Sequence, residues 1–322
     1  MHRLLFPAYR LALNRLAPAG SGARLSILIF HRVLAETDPI FPGEATVKTF
    51  DTHMGLLKSL FNVLPLTEAV ARIKAGTLPA RAAAITFDDG YADNYTRALP
   101  LLQKHGLHAT FFIATSYLDG GRMFNDTVIE SIRHSPLAQL DLRELGLGVH
   151  DLSSNAAKSD AIEKILPQVK YLQLEEREET ITQLVVRTGC NHLPDDLMMT
   201  TKQLQRLHAA GMEIGGHTHR HPILAKLNHT EVETEIATGK TWLEETLGDR
   251  VRLFAYPNGK PGVDYLPEQA ETVRKLGFDA AVSTRRGVST VNTDLFQLPR
   301  FTPWDTNPTA YALRLLQNLA AA

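Results

Sequence analysis

Short, mainly apolar runs alternate along the chain with longer stretches in which apolar positions recur at helical spacing. The runs at 25–30, 82–87, 109–113, 212–214, 252–255 and 280–282, with a weaker one at 62–64, predict strands. The helical period predicts helices over 47–60, 67–75, 94–105, 201–210, 231–247 and 264–276. Strands alternating with helices predict parallel pairing through crossover connections. Six or seven such units point to an α/β fold, a distorted (β/α) barrel of about seven parallel strands. An open doubly wound sheet is the competitor, and periodicity alone does not choose between them.

The rhythm breaks between about 120 and 195. This stretch reads as helices only, for example over 126–135 and 161–179, with the charge-dense run Glu175-Glu176-Arg177-Glu178-Glu179. It is expected to be a helical insertion, either over the barrel rim where loops build substrate sites or as a solvated spacer. Residues 1–22 are expected to hold an amphipathic helix over about 2–17, followed by the barrel across 23–322. Arg3, Arg10, Asn14 and Arg15 interrupt the helix's apolar residues, so no signal peptide is recognisable. The helix either packs on the body of the protein or makes peripheral contact with a membrane surface. The expected location is cytoplasmic, and no run of eighteen apolar residues predicts a transmembrane helix.

Composition narrows the chemistry. Thirty-four Lys plus Arg against thirty-five Asp plus Glu leave a net charge of −1, so no global field gathers phosphate backbones and no nucleic-acid partner is expected. A near-neutral chain suits a neutral glycan better than a polyanion. The single cysteine, Cys190, leaves any metal to His, Asp and Glu. Thirteen histidines are present, three of them within 217–221.

Two segments concentrate reactive groups. Asp88-Asp89-Gly90 follows the apolar run 82–87, so one carboxylate is free to bind a metal while its neighbour moves protons; the alternative is a structural turn. His217 and His221 stand four residues apart after Gly215-Gly216, which give the backbone freedom to turn. In a helix or tight turn that spacing brings both imidazoles to one ion. Two histidines with one carboxylate leave coordination positions open, as catalytic sites do. His219 is expected to point away or to back the site.

Together these segments resemble a known family. Thr86-Phe87-Asp88-Asp89-Gly90-Tyr91 resembles the first motif of the polysaccharide deacetylases (carbohydrate esterase family 4, the nodulation-type chitooligosaccharide deacetylase domain), and His217-Thr218-x-x-His221 resembles the second. Phe254-Ala255-Tyr256-Pro257-Asn258-Gly259 resembles the third, a groove wall. The resemblance spans about 25–305 without the insertion. It implies a hydrolase of linear amide bonds that removes N-acetyl groups from the amino sugars of a polysaccharide or glycan precursor, with a metal-bound water as nucleophile. Asp89, His217 and His221 would be the metal ligands and Asp88 the base, with zinc expected and cobalt, nickel or manganese accepted. A backbone N–H near Tyr91 would share the oxyanion.

The match has departures. Nothing after Asp279 resembles the Leu-x-Ile-His motif that typically carries the acid. Leu28-Ile29-Phe30-His31 instead resembles a circularly permuted subgroup, that of the exopolysaccharide poly-N-acetylglucosamine deacetylases, which makes His31 the acid. Ala255 stands where an arginine often orients the base; Arg300 either replaces it from another wall or is a surface residue. Trp304 either stacks on a sugar or closes the barrel's end, and Tyr256 either lines the groove beside Pro257 or belongs to the core. Alternatives to deacetylation are a deformylase or other small amide or imide hydrolase on the same metal site, and a non-catalytic carbohydrate-binding protein.

Overall fold

The computed structural model describes the backbone over residues 6–303 and 305–320 and the side chains from residue 9. Helix α1 (Phe6–Leu16) precedes β1 (Leu25–Phe30), α2 (Val47–Leu60), β2 (Asn62–Val63), α3 (Leu66–Ala75), β3 (Ala82–Phe87), α4 (Leu99–His105) and β4 (Thr110–Ile113). The insertion follows, with α5 (Phe124–Arg133), β5 (Gln139–Leu142), β6 (Gly148–Asp151), α6 (Asn155–Lys170) and α7 (Leu174–Thr188). The alternation resumes with α8 (Thr201–Ala209), β7 (Glu213–Gly216), α9 (His229–Leu247), β8 (Leu253–Ala255), α10 (Pro267–Lys275) and β9 (Ala280–Val282), and α11 (Pro308–Ala320) packs on the outside.

Seven strands form one parallel sheet in the order β1-β3-β4-β7-β8-β9, with the short β2 beside the start of β3. Every residue of β1 and β3 is buried, as expected for strands covered on both faces. The sheet curls rather than staying open, because the extended residues 298–301 bridge its two ends. Leu298 pairs with Val282 of β9, and Phe301 exchanges backbone hydrogen bonds with Ile27 and Ile29 of β1 (both 3.1 Å). The doubly wound alternative is thereby excluded and the distorted barrel stands.

Register decides where the chemistry gathers. Phe30 pairs with Phe87, so His31 and Asp88 leave neighbouring strands side by side. Ile113 pairs with Gly216, which brings His217 to the same C-terminal rim, the functional face of such barrels. Side-chain caps begin several helices: Thr46 with Thr49 on α2, Thr200 with Gln203 on α8, and Asn228 with Glu231 on α9. The last of these starts α9 two residues before its apolar period becomes visible.

Three expectations change. The insertion is not helical throughout: β5 and β6 form an antiparallel hairpin, with Leu140 and Leu142 buried and Gln139 and Asp141 exposed. Four residues of alternation are too short to stand out against flanking helical periodicity. The single helix expected over 161–179 is two, broken at 171–173, with Glu175 and Glu176 in the first turn of α7 where acidic side chains complement the helix dipole. Helix α11, which the periodicity did not single out, buries Tyr311, Leu315 and Leu319. The N-terminal helix packs Leu13 into the main core, with Ala17 buried just after its end, while Leu11 stays 72% exposed. Among the described residues no helix is long and apolar enough to cross a membrane.

Candidate active site

The motif residues meet because the backbone turns sharply as it leaves the strands. Asp89 lies at φ 78°, Thr218 at 64°, His221 at 52° and Asn258 at 58°, a left-handed region that side chains other than glycine seldom adopt. Such strain concentrates where surrounding structure enforces it. His217 and His221 sit on a tight turn, not a helix. The Thr218 hydroxyl donates to the His217 carbonyl (2.6 Å) and accepts the His221 N–H (3.0 Å). Gly215 and Gly216, expected to loosen that turn, lie inside β7. At Gly215 a Cβ would come within 2.4 Å of the Phe112 ring, so its role is close packing. A glycine that sequence reading passed over, Gly239 on α9, lets that helix reach the turn: its Cβ would stand 2.8 Å from the Thr218 carbonyl oxygen.

Asp89, His217 and His221 converge, all three buried. The two Nε2 atoms are 3.1 Å apart, and Asp89 Oδ1 lies 3.4 Å from His217 Nε2 and 3.5 Å from His221 Nε2. His217 Nδ1 lies 2.7 Å from the Ala255 carbonyl oxygen, to which it donates, leaving Nε2 with a lone pair facing the triangle. Burial, and then the neighbouring His217, push His221 down to about 3, toward the neutral form a metal requires. The triangle fits a divalent cation, since ligand edges of a tetrahedral site with bonds of about 2.0–2.1 Å run to roughly 3.4 Å. His219 points elsewhere, with its Nδ1 2.9 Å from the Thr115 hydroxyl.

Asp88 adjoins this triangle, its Oδ2 4.0 Å from His217 Nε2. Arg300 holds it in a two-pronged grip, Nη1 to Oδ1 at 2.6 Å and Nη2 to Oδ2 at 2.7 Å, and also donates to Thr86 Oγ1 (3.1 Å) and the Ser283 carbonyl (3.1 Å). Arg300 is fully buried, so the surface reading of this residue is excluded. Burial alone would raise the Asp88 carboxyl; the Arg300 guanidinium, with His217 behind it, holds it below the usual carboxylate range.

A cavity of about 500 Å³ opens above these groups, lined by His31, Asp88, Asp89, Tyr91, His217, His221 and residues of the insertion. His31 is exposed at its edge, and its carbonyl accepts from Asn94 Nδ2 (2.8 Å). Asp93 secures the next two residues, accepting from Arg32 Nε (2.9 Å) and from the Val33 N–H (3.0 Å). Tyr91 lies under the Arg32 guanidinium (4.7 Å to the ring centroid) and donates its hydroxyl to Asp126 of α5 (3.0 and 3.1 Å). Burial pushes Asp126 up to about 7.

Not every expected residue reaches the cavity. Tyr256 is core: its ring stacks on Tyr265 at 3.7 Å and its hydroxyl donates to the Phe296 carbonyl (2.9 Å). Strand β8 ends at Ala255 with its neighbour turned inward, so Pro257 is buried behind the wall, and Asn258 and Thr284 line the cavity in their place. Trp304 lies outside the described residues. Asp93, Asp126, Asn258 and Thr284 were not singled out from the sequence. Asp93 follows the first motif by two residues and Asn258 lies within the third, so both carried a local signal; Asp126 and Thr284 come from distant elements.

Comparison with known proteins gives the fold and the family. A curated protein of Bacillus subtilis (strain 168), the polysaccharide deacetylase YxkH, is 22% identical over 280 residues, covering 86% of this chain and 71% of its own length. Two solved structures share the fold. The Streptococcus pyogenes deacetylase PplD in complex with acetate has a TM-score of 0.60 at 20% identity, covering 92% of this chain and 98% of its own. IcaB from Ammonifex degensii has a TM-score of 0.57 at 19% identity, with the same coverage of 92% and 98%. The family model described as polysaccharide deacetylase matches residues 75–281, more than half of the chain, and this protein therefore belongs to the polysaccharide deacetylase family, hydrolases of amide bonds.

Proposed function

We propose that this protein removes acetyl groups from N-acetylated amino sugars by metal-assisted amide hydrolysis. The observation that carries the reading is the closed triangle of Asp89, His217 and His221 with the Arg300-clamped Asp88 beside it. Those three ligands would hold a divalent cation, zinc by ligand type and geometry, with cobalt, nickel or manganese also accepted. Bound there, such an ion supplies Lewis-acid polarisation of the acetamide carbonyl and activation of the attacking water.

This chain's residues do the rest. Asp88, kept ionised by Arg300, accepts a proton from the water that attacks the carbonyl carbon. His31, at the cavity edge, gives a proton to the sugar nitrogen as the C–N bond breaks, so acetate and a free amine leave. Asp93 and Asn94 hold the His31–Val33 backbone in place for this transfer. The acetate bound to the Streptococcus pyogenes neighbour is consistent with the product expected here.

The test is acetate release from N-acetylglucosamine oligosaccharides by protein stripped with a chelator and then reloaded with zinc. Activity should vanish and return with the metal. His31→Ala should lower kcat by about 10²-fold or more with metal content unchanged. Unaltered rates after stripping would sink the metal reading, a near-normal rate in His31→Ala would sink the acid, and formate released from formylated sugars without acetate would favour the deformylase.

A further inference from the structure

The insertion does more than cover the barrel. It is rooted between β4 and β7 and is tied down on both flanks of the mouth. On one flank, Arg133 of α5 grips Asp38, in the loop after β1, through Nη1 to Oδ1 (3.0 Å) and Nη2 to Oδ2 (2.6 Å). Ile40 of that loop is 3% exposed and belongs to the insertion's own apolar core. On the other flank, the Tyr171 hydroxyl donates to Asp264 Oδ1 (3.2 Å), with Lys170 Nζ 3.7 Å from the same oxygen. Asp264 lies in the loop after β8, is 1% exposed, and is fixed through Oδ2 by the Lys260 N–H (2.9 Å). The insertion thus meets the rim at three places: the β1 loop, its own β4–β7 root and the loop after β8.

The wall's inner surface sets apolar side chains among charged ones, Asp126, Glu130, Arg133 and Lys170. Phe124, Ile129 and Leu166 from the insertion, with Phe41 from the β1 loop, are half-buried: they pack on the insertion's core and also line the cavity. Such a surface suits the C–H face of a pyranose ring, and a cavity of about 500 Å³ lies in the range of pockets that enclose small ligands. A polysaccharide bound through an internal unit needs two exits for the sugars on either side. A mouth spanned by the insertion from the β1 loop to Asp264 leaves the edge where Asn258 and Thr284 line the cavity as the entry.

We propose that this arch makes the enzyme act on chain ends and short N-acetylated oligosaccharides in preference to internal units of a long polysaccharide. The inference rests on the deacetylase reading and specifies its substrate class. It is tested on the intact protein with long-chain poly-N-acetylglucosamine before and after endoglycosidase fragmentation, at equal total acetamide. An end-directed enzyme should gain rate with the number of ends, about tenfold for an about tenfold cut in mean length. Equal rates before and after fragmentation would overturn the inference while leaving the deacetylase reading intact; acetate from neither sample would overturn the deacetylase reading itself. A double variant, Asp38→Ala with Tyr171→Phe, loosens both feet and should raise the ratio of polymer rate to tetrasaccharide rate. An unchanged ratio in that variant, with the fold retained by circular dichroism, would show that the arch does not set the preference.

Discussion

Strands β1 and β3 of the barrel are buried at every position, whereas β5 of the insertion buries every second residue. The barrel strands are gripped on both faces, and their ends are correspondingly fixed. Asp88, Asp89 and His217 sit at those ends, so the site inherits the rigidity that chemistry needs. The insertion is one-sided. Its core, centred on Ile162, Ile165 and Leu184, supports an outer face toward solvent and an inner face toward the cavity. One region fixes reacting groups, and the other shapes what can approach them.

Four expected outcomes test this division. The largest is on the floor of the site: Asp88→Asn should lower kcat by about 10²–10⁴-fold while elemental analysis finds the metal retained. An active mutant would move the base elsewhere. Next, Arg300→Met leaves a buried carboxylate without its partner, which should cost about 3–5 kcal/mol in denaturant unfolding. The sign with pH follows from the lowered carboxyl of Asp88. A depressed carboxylate stabilises the fold above its unfolded value of about 3.9, and that contribution is lost as pH falls through the folded value. Without Arg300 the Asp88 carboxyl rises, so the acid limb of kcat/KM should move to higher pH; an unmoved limb would break the assignment.

Ile165→Ala, in the insertion's core, should cost about 2–5 kcal/mol, read as faster amide exchange in α5–α7 with β1, β3 and β7 still protected. Equal loss of protection in both regions would mean that they do not differ as described. The smallest effect is expected at Val186, 76% exposed on α7, where Val186→Ser should change stability by no more than about 0.5 kcal/mol.

The reacting groups were legible because they are carried by local patterns. Adjacent carboxylates after an apolar strand, and histidines spaced four apart, announce themselves within a few residues. Arg300 was half legible: its place after a late extended segment suggested the role, but its contact with Asp88 spans 212 residues. Asp126 and Thr284 carried no local signal, since their importance comes from what the fold sets opposite them. Tyr256 stayed open between groove and core for the converse reason, because membership of a motif does not say which way a side chain turns, and the structure places it in the core. The hairpin in the insertion escaped because two four-residue strands do not outweigh the helical periods around them.

The sequence by itself determined the alternation of strands and helices, the placing of Asp88, Asp89, His217 and His221 after strand ends, and the burden on His and Asp to hold any metal. All three are set by side-chain period and residue type, without reference to distant parts of the chain. Only the tertiary structure decided that the sheet closes through residues 298–301, that Arg300 grips Asp88, and that the insertion arches over the mouth with its feet on Asp38 and Asp264. These depend on register and long-range packing, where the free energy of one contact is set by groups far along the chain, 93 to 212 residues for these side-chain contacts, and leaves no periodic trace.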